Sequence, residues 1–483
     1  MKQTAEDGVK NKEKSFSSIN TKSFLVVVIL LVAIIAVSGI ISNFIPQGSY
    51  ERDEDGIIVD GTYVKGETKG LAFWRIITAP FRVFASDDAL TIIMISVFLL
   101  IMSGVFNVME KTGGVAVFIR KVVTKCGKRK MLVICVATLV FMAFGSFFGM
   151  FEELVTLLPL VVVFMLTMGF DTMVGLGVCM MAACFGFSAA ITNPFSVGLA
   201  AQFAGVGVSD GMWLRILFFL CVYSIVIGFL FLYTRRISKD STKSLTYEID
   251  REKLQSLDLS VSTDAQKDKK LFRVYAIFFL VEVVLLVLIA SIRAISGYAI
   301  PILAASFLIG GLLTGMLVEK PKKVLVWFGK GVLSMLPAVL LIALACSVKL
   351  ILVESNIMDT IMYYAISKLQ TVHSKFAIIL LLYALILFLQ IFIGSASAKI
   401  FLVMPIVLPI ANALGISPTL VILTYCIADG FTDMILPTNP VLLIGLSMVN
   451  VSYGKWVKWT WWLQLVMLAF TVLVLLFASA IGY

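Results

Sequence analysis

The sequence predicts an all-α polytopic membrane protein made of two inverted-topology repeats, each with a re-entrant hairpin and a broken transmembrane helix. Three observations carry this prediction. Apolar residues make up 60% of the 483 residues and charged residues only 14%, where a soluble domain has roughly 45–50% and about 25%. The tripeptide Thr192-Asn193-Pro194 returns 246 residues later as Thr438-Asn439-Pro440. The same offset, without a gap, sets Pro159 on Pro405, Gly169 on Gly415, Ala182 on Ala428, Phe185 on Phe431 and Trp213 on Trp459. Lastly, lysine and arginine collect in loops on one side, the pattern that fixes membrane orientation. The net charge of +10 therefore reads as cytoplasmic loops, not as a nucleic-acid surface.

A span needs about 20 apolar residues. Residues 1–22 carry five lysines against three acids and read as a cytoplasmic tail. Residues 23–45 are long enough to cross outward and show no cleavage pattern of a signal peptide. An acidic external loop fills 46–70. Residues 71–86 form a short amphipathic piece with Trp74, Arg75 and Arg82, suited to the membrane interface. Residues 89–109 cross inward to a basic turn at 110–130. Residues 131–170 are too long for one span and hold Gly145, Gly149, Glu152 and Glu153 in the middle, so they read as a hairpin entering from the cytoplasm. Residues 171–205 are the first broken helix, and 212–233 return inside. The first repeat is thus 23–234, followed by a cytoplasmic linker at 235–270.

The remainder, 271–483, holds an extra span and the second repeat. The extra span, 271–289, turns the second unit over. Spans at 298–318 and 332–353 follow. A second hairpin fills 375–415 with its tip at 394–399, the second broken helix fills 417–450, and 459–481 make the last crossing. The seven cysteines form no C-x-x-C pair and read as free, reduced and buried. His373 is the only histidine, so a histidine-built metal site is not expected.

Unpaired backbone in hydrocarbon costs several kcal/mol per group, so a break persists only inside protein or beside a cavity. Paired breaks in two halves point to the central site of a secondary transporter. At each break Asn193 or Asn439 offers an amide carbonyl and an NH2, and Thr192 or Thr438 a hydroxyl. Pro194 and Pro440 remove a backbone donor. A sodium ion could sit near Asn193 and Asn439. The plain alternative is a pair of proline kinks. Glu152 and Glu153 are carboxylates at the first tip, and a carboxylate in the bilayer is a functional hypothesis by default. The alternative is a tip that reaches water. Lys399 occupies the position that matches Glu153, so one tip offers negative charge and the other positive. It receives a substrate carboxylate, or it locks the halves through an internal ion pair with a glutamate. Asp429 and Asp433, in Asp429-Gly430-Phe431-Thr432-Asp433, are i and i+4 and would share a helix face ahead of the break. They suit an ammonium or guanidinium group, a proton or sodium, or simply a water-lined face. Ser395 and Ser397 sit in a small-residue run that permits close packing.

Several of these stretches together resemble one family. They are Gly149-Met150-Phe151-Glu152-Glu153, Gly169-Phe170-Asp171, Thr192-Asn193-Pro194-Phe195-Ser196-Val197-Gly198, Gly394-Ser395-Ala396-Ser397-Ala398-Lys399, Asp429-Gly430-Phe431 and Pro437-Thr438. The chain resembles the YfcC family, DcuC-like members of the ion transporter superfamily. The resemblance implies two inverted repeats with an inner and an outer hairpin, a homodimer, and an elevator-like transport domain. It also implies basic amino acid antiport, such as arginine/ornithine exchange, with dicarboxylate carriage by distant kinship. Many members continue the second break as Pro-Thr-Ser-Gly, where this chain has Pro437-Thr438-Asn439-Pro440.

The sequence therefore reads as a secondary active transporter or exchanger of a small charged organic solute in the cytoplasmic membrane, and not as an enzyme. The acids Glu152, Glu153, Asp429 and Asp433 would receive cationic groups, and Lys399 with the tip amides a carboxylate. A C4-dicarboxylate carrier coupled to sodium or protons is the alternative substrate reading. An intramembrane metal-dependent enzyme would need a second Asp-rich site, which the sequence lacks. No cofactor is expected beyond a coupling ion.

Overall fold

The computed structural model describes residues 21–53, 59, 61–68, 70–114, 117, 129–256, 265–291, 298–370 and 374–483. Most of the N-terminal tail, residues 118–128 of the basic turn, 257–264 of the linker, Cys126 and His373 lie outside the described residues. Among the described residues, six helices are long and apolar enough to cross a membrane: Phe24–Ile41, Ile92–Lys111, Lys130–Phe148, Met212–Lys239, Pro321–Glu354 and Tyr453–Ala480. Shorter apolar helices lie between them. The polar loop at 46–70 contributes a small antiparallel ribbon, Gly48–Ser49 with Val64–Lys65.

Both halves follow one backbone plan. The first hairpin descends through Lys130–Ala143 and the wider turn Phe144–Phe148, reverses at Gly149, and returns through Leu158–Thr167. The first broken helix runs from Thr172 to Ser188 with a loosened turn at Gly177–Met181. It stops, then resumes as Pro194–Gly198 and Leu199–Ala204. The second hairpin is Lys375–Gln390 and Ala396–Ala413. The second broken helix is Pro418–Ala428, a short turn Phe431–Met434, and Pro440–Met448. Gly169 and Gly415, which match at the 246 offset, are both left-handed (φ 83° and 64°) where hairpin passes into broken helix. Each resumed helix starts on a proline, whose missing N–H costs nothing at that position.

The broken helices are apolar on every side, and such helices belong in a core. Every residue from 171 to 186 and from 420 to 431 is buried. In each half both hairpin arms pack against that half's broken helix. The long spans instead leave large side chains such as Leu25, Ile29, Leu220 and Trp462 exposed, as lipid-facing surfaces do. The halves meet at residues that are each other's mates under the 246 offset. Cys184 Sγ donates to Gly430 O at 3.0 Å, and the rings of Phe185 and Phe431 lie 6.3 Å apart. A residue touches its own mate only near the axis relating two copies. The broken helices therefore cross there, beside their breaks.

Outside this core, Ala89–Lys111 packs against Pro321–Glu354 and Ala299–Met316. The ion pair Arg52–Asp359 ties the loop ahead of Phe73 to helix Met358–Gln370, and Arg82–Glu354 and Asp88–Lys349 (2.6 Å) tie the segment that follows to Pro321–Glu354. The interfacial piece is helix Phe73–Arg82, with Phe73, Trp74, Ile77 and Phe81 exposed and Ala79 buried.

One sequence reading changes: the span placed at 332–353 is one helix of 34 residues, Pro321–Glu354. Arg215 and Glu282 are buried: Arg215 donates to the carbonyls of Val208 and Asp210, and Glu282 accepts from Ser306 Oγ at 2.6 Å. Where described, the linker packs against the broken helices. Its helix Tyr247–Ser256 plugs Asp250 onto the Thr172 N–H and hydroxyl, and Lys253 Nζ donates to Thr172 Oγ1 (2.9 Å) and Val449 O (2.6 Å). One lysine so clasps the start of the first broken helix to the end of the second. Burial pulls its ammonium down from 10.5 to about 8, against the pull of Asp250 and Asp171.

Candidate functional site

At the first break the chain must satisfy amides that no longer have helical partners. Ser146, on the first hairpin, serves most of them. Its carbonyl accepts from the N–H groups of Ile191, Thr192 and Asn193 at 3.1, 3.3 and 3.1 Å. Its hydroxyl donates to Ala189 O at 2.6 Å and accepts from Ile191 N at 3.1 Å. Thr192 Oγ1 donates to Phe147 O at 3.1 Å. Gly145, next to this serine, lets the backbones touch: a Cβ there would lie 2.1 Å from Ala183 O. The junction of first hairpin and first break is therefore closed by neutral hydrogen bonds.

The second break is longer and starts earlier than the sequence implied. Asp429 caps the end of Pro418–Ala428, and Gly430 then turns with φ 122°, which a side chain would resist. Asp433 sits on the following short turn, so Asp429 and Asp433 do not share one helix face as their spacing suggested. The carbonyls freed here are met by side chains of the last helix, Tyr453–Ala480. Gln464 Nε2 donates to Phe431 O at 3.1 Å, Trp456 Nε1 to Met434 O and Tyr453 OH to Ile435 O, both at 2.5 Å. Ser188, at the edge of the first break, donates to Ile427 O at 2.9 Å.

The second hairpin closes on this break through charge. Lys399 is fully buried, and its ammonium lies 2.5 Å from Asp429 Oδ1, itself buried. Tyr425 OH donates to Ala396 O at 2.6 Å beside it. Lys399 thus pairs with Asp429 inside the second half, not with a glutamate of the first. Asp433 accepts from Gln390 Nε2, is bonded by the Asn439 side chain, and feels Lys399 and Asp429. Glu152, half-buried at the first tip, lies within electrostatic reach of Glu153 and Asp433. Glu153 interacts with backbone amides at 151 and 153. So the first tip and the second break, 280 residues apart by Glu152 and Thr432, meet in space.

The other predicted residues take humbler places. Asn193 Oδ1 accepts from Phe195 N at 2.9 Å, and Asn439 Oδ1 accepts from Val441 N and Leu442 N at 2.9 and 3.4 Å. Both carbonyls that could have faced a sodium ion thus cap the helices that begin at Pro194 and Pro440. Asn193 Nδ2 stays buried without an acceptor. Ser395 is exposed and caps Ala396–Ala413; Ser397 and Thr438 are half-buried. A small pocket opens between Ala89–Lys111 and Pro440–Met448, lined by Phe98, Met102, Val155, Val441 and Ile444, with Glu152 as its charged wall residue. The sequence reading missed Ser146, Gln390 and Gln464. Each is a lone polar residue in an apolar run, which was the available signal.

The sequence profile of the DcuC family, described as the C4-dicarboxylate anaerobic carrier, matches residues 23–480. An uncharacterized protein of Haemophilus influenzae is 28% identical over 374 residues, which cover 75% of this chain and 71% of that one. The Escherichia coli protein described as "Putative basic amino acid antiporter YfcC" is 24% identical over 383 residues, covering 76% and 74%. Among solved structures, the YdaH transporter of Alcanivorax borkumensis aligns with a TM-score of 0.41 and 19% identity over 95% of this chain and 98% of its own. MtrF of Neisseria gonorrhoeae, titled as illuminating a class of antimetabolite efflux pumps, aligns with a TM-score of 0.39 and 15% identity over 94% and 93%.

Proposed function

We propose, for a chain that belongs to the DcuC family of C4-dicarboxylate anaerobic carriers, that its solute is an amino acid with a cationic side chain, carried by exchange. Membership in a carrier family makes the protein a multi-pass membrane transporter. The observation that carries the finer reading is the charge count at the meeting point. Two carboxylates, on Asp429 and Asp433, act on the one ammonium of Lys399, and Glu152 lies within electrostatic reach of Asp433 with Glu153 beside it. A carboxylate in a bilayer is expensive, so a solute that brings positive charge is the natural occupant. Its own carboxylate has a place at the first break. There the unpaired Asn193 Nδ2 lies at the start of the resumed helix, where partial positive charge favours anions.

Exchange follows from the same count. An empty site would carry its charge deficit through a low-dielectric path when the halves rearrange. A loaded site would not. The positive-inside pattern supports a cytoplasmic-membrane location, an internal N-terminus and an inverted second half. The coupling ion, sodium or proton, and a homodimeric assembly are further parts of this proposal.

Counterflow in proteoliposomes tests it. Labelled arginine should accumulate when the lumen holds unlabelled arginine or ornithine, and should not when it holds succinate. The family's description favours a second reading, C4-dicarboxylate carriage. Accumulation of labelled succinate against internal succinate, with arginine inert, would establish that reading instead.

A further inference from the structure

We infer that Lys399 is a built-in cation: its ammonium fills a site for a small monovalent cation between the second hairpin and the second break. The two junctions use the same backbone plan, and the first closes with uncharged groups alone. Closure by itself therefore needs no charge. At the second, an ammonium that is 0% exposed lies against Asp429, 1% exposed. The ammonium meets Asp429 Oδ1 and leaves oxygen over: Asp429 Oδ2 is buried without a hydrogen-bond partner, as are Gln390 Oε1 and Thr432 Oγ1 on the second hairpin and second break and Gln464 Oε1 on the last helix. Gln390, itself 1% exposed, donates its amide nitrogen to Asp433, which feels Lys399. Carboxylate, amide and hydroxyl oxygens are what hard cations take as ligands. Lysine is a compact point charge on a flexible stem, so it neutralises Asp429 from within. Unlike a free ion, it cannot leave with the solute.

The consequence is specific. The intact chain needs no free cation at this junction. Removing the lysine amine leaves Asp429 uncompensated in a space of ammonium size, open to sodium or to methylammonium. The readout is binding, so it is independent of which solute is carried and does not share the fate of the arginine experiment. Thermal unfolding of the purified full-length protein is measured in choline, sodium and methylammonium chloride at fixed ionic strength. Lys399→Ala should be destabilised in choline and regain stability in sodium or methylammonium. Its midpoint should rise with the logarithm of cation concentration once the site fills, as mass action requires. In the wild type and in the double variant Lys399→Ala/Asp429→Asn any preference over choline should be clearly smaller than in Lys399→Ala. Lys399→Ser, which keeps a donor for Asp429, should repeat the pattern if Lys399→Ala does not fold. A single variant indifferent to all three salts overturns the inference. So does a double variant that responds like the single one, or a loss of folding in both single variants that no cation relieves.

Discussion

At the first junction one serine serves the break, with its carbonyl shared by three amides and its hydroxyl by a fourth group. At the second, the break is twice served: side chains of the last helix meet its carbonyls, and a buried lysine–aspartate pair ties it to the hairpin. The backbone plan is duplicated, down to matched left-handed glycines and asparagine caps. The chemistry is not. The difference shows how a duplicated fold can divide labour. The first junction is closed by neutral hydrogen bonds and the second by a buried ion pair, while the first half adds Glu152 and Glu153 from its hairpin tip. Fold symmetry alone does not assign function; the residues at each junction do.

The comparison can be broken most forcefully at the second junction. Asp429→Ala strands the Lys399 ammonium in the core, and stranding one partner of a buried pair costs about 3–5 kcal/mol. The double variant Lys399→Met/Asp429→Leu removes both charges and should lose markedly less than the two single losses combined. Reversible unfolding in detergent measures Asp429→Ala, the double variant and its two single parents, Lys399→Met and Asp429→Leu. Additive losses would mean that the pair is not a unit. The first junction should yield less. Ser146→Ala leaves the three amide bonds to its backbone carbonyl intact but removes the hydroxyl bonded to Ala189 O. Leaving such a group unmet costs about 1–3 kcal/mol. A loss as large as that of Asp429→Ala would erase the contrast.

The smallest effect lies at the clasp, away from both junctions. The folded chain holds the Lys253 proton with a pKa of about 8, below the ordinary 10.5. Between those values the unfolded chain binds more protons, so stability rises with pH. Below about 8 both states are protonated and this contribution is flat. Unfolding midpoints across that window should climb for the wild type and flatten for Lys253→Met. A falling midpoint that Lys253→Met abolishes would reverse the assignment.

Much of this was legible in the sequence because it is written as repetition. The 246 offset marks both breaks and both prolines, and apolar runs interrupted by a small or charged tip mark both hairpins. The sequence could name Lys399 and the four acids, but not pair them: spacing offered several partners, and only packing selects Asp429. The Asp429–Asp433 spacing misled because Gly430 adopts φ 122° and ends the helix between them. Ser146, Gln390 and Gln464 were hidden because one polar residue in an apolar run has no period to betray it. The linker's role was hidden for the opposite reason. Asp250 and Lys253 sit in a polar stretch where any charge looks solvated, yet both are buried.

The most direct test of the division of labour is the exchange rate of Asp429→Asn beside that of Ser146→Ala, reconstituted at equal density in the same lipid. The account predicts arginine exchange at background for Asp429→Asn, and saturable exchange for Ser146→Ala despite its lower unfolding midpoint. Wild-type exchange by Asp429→Asn would contradict it.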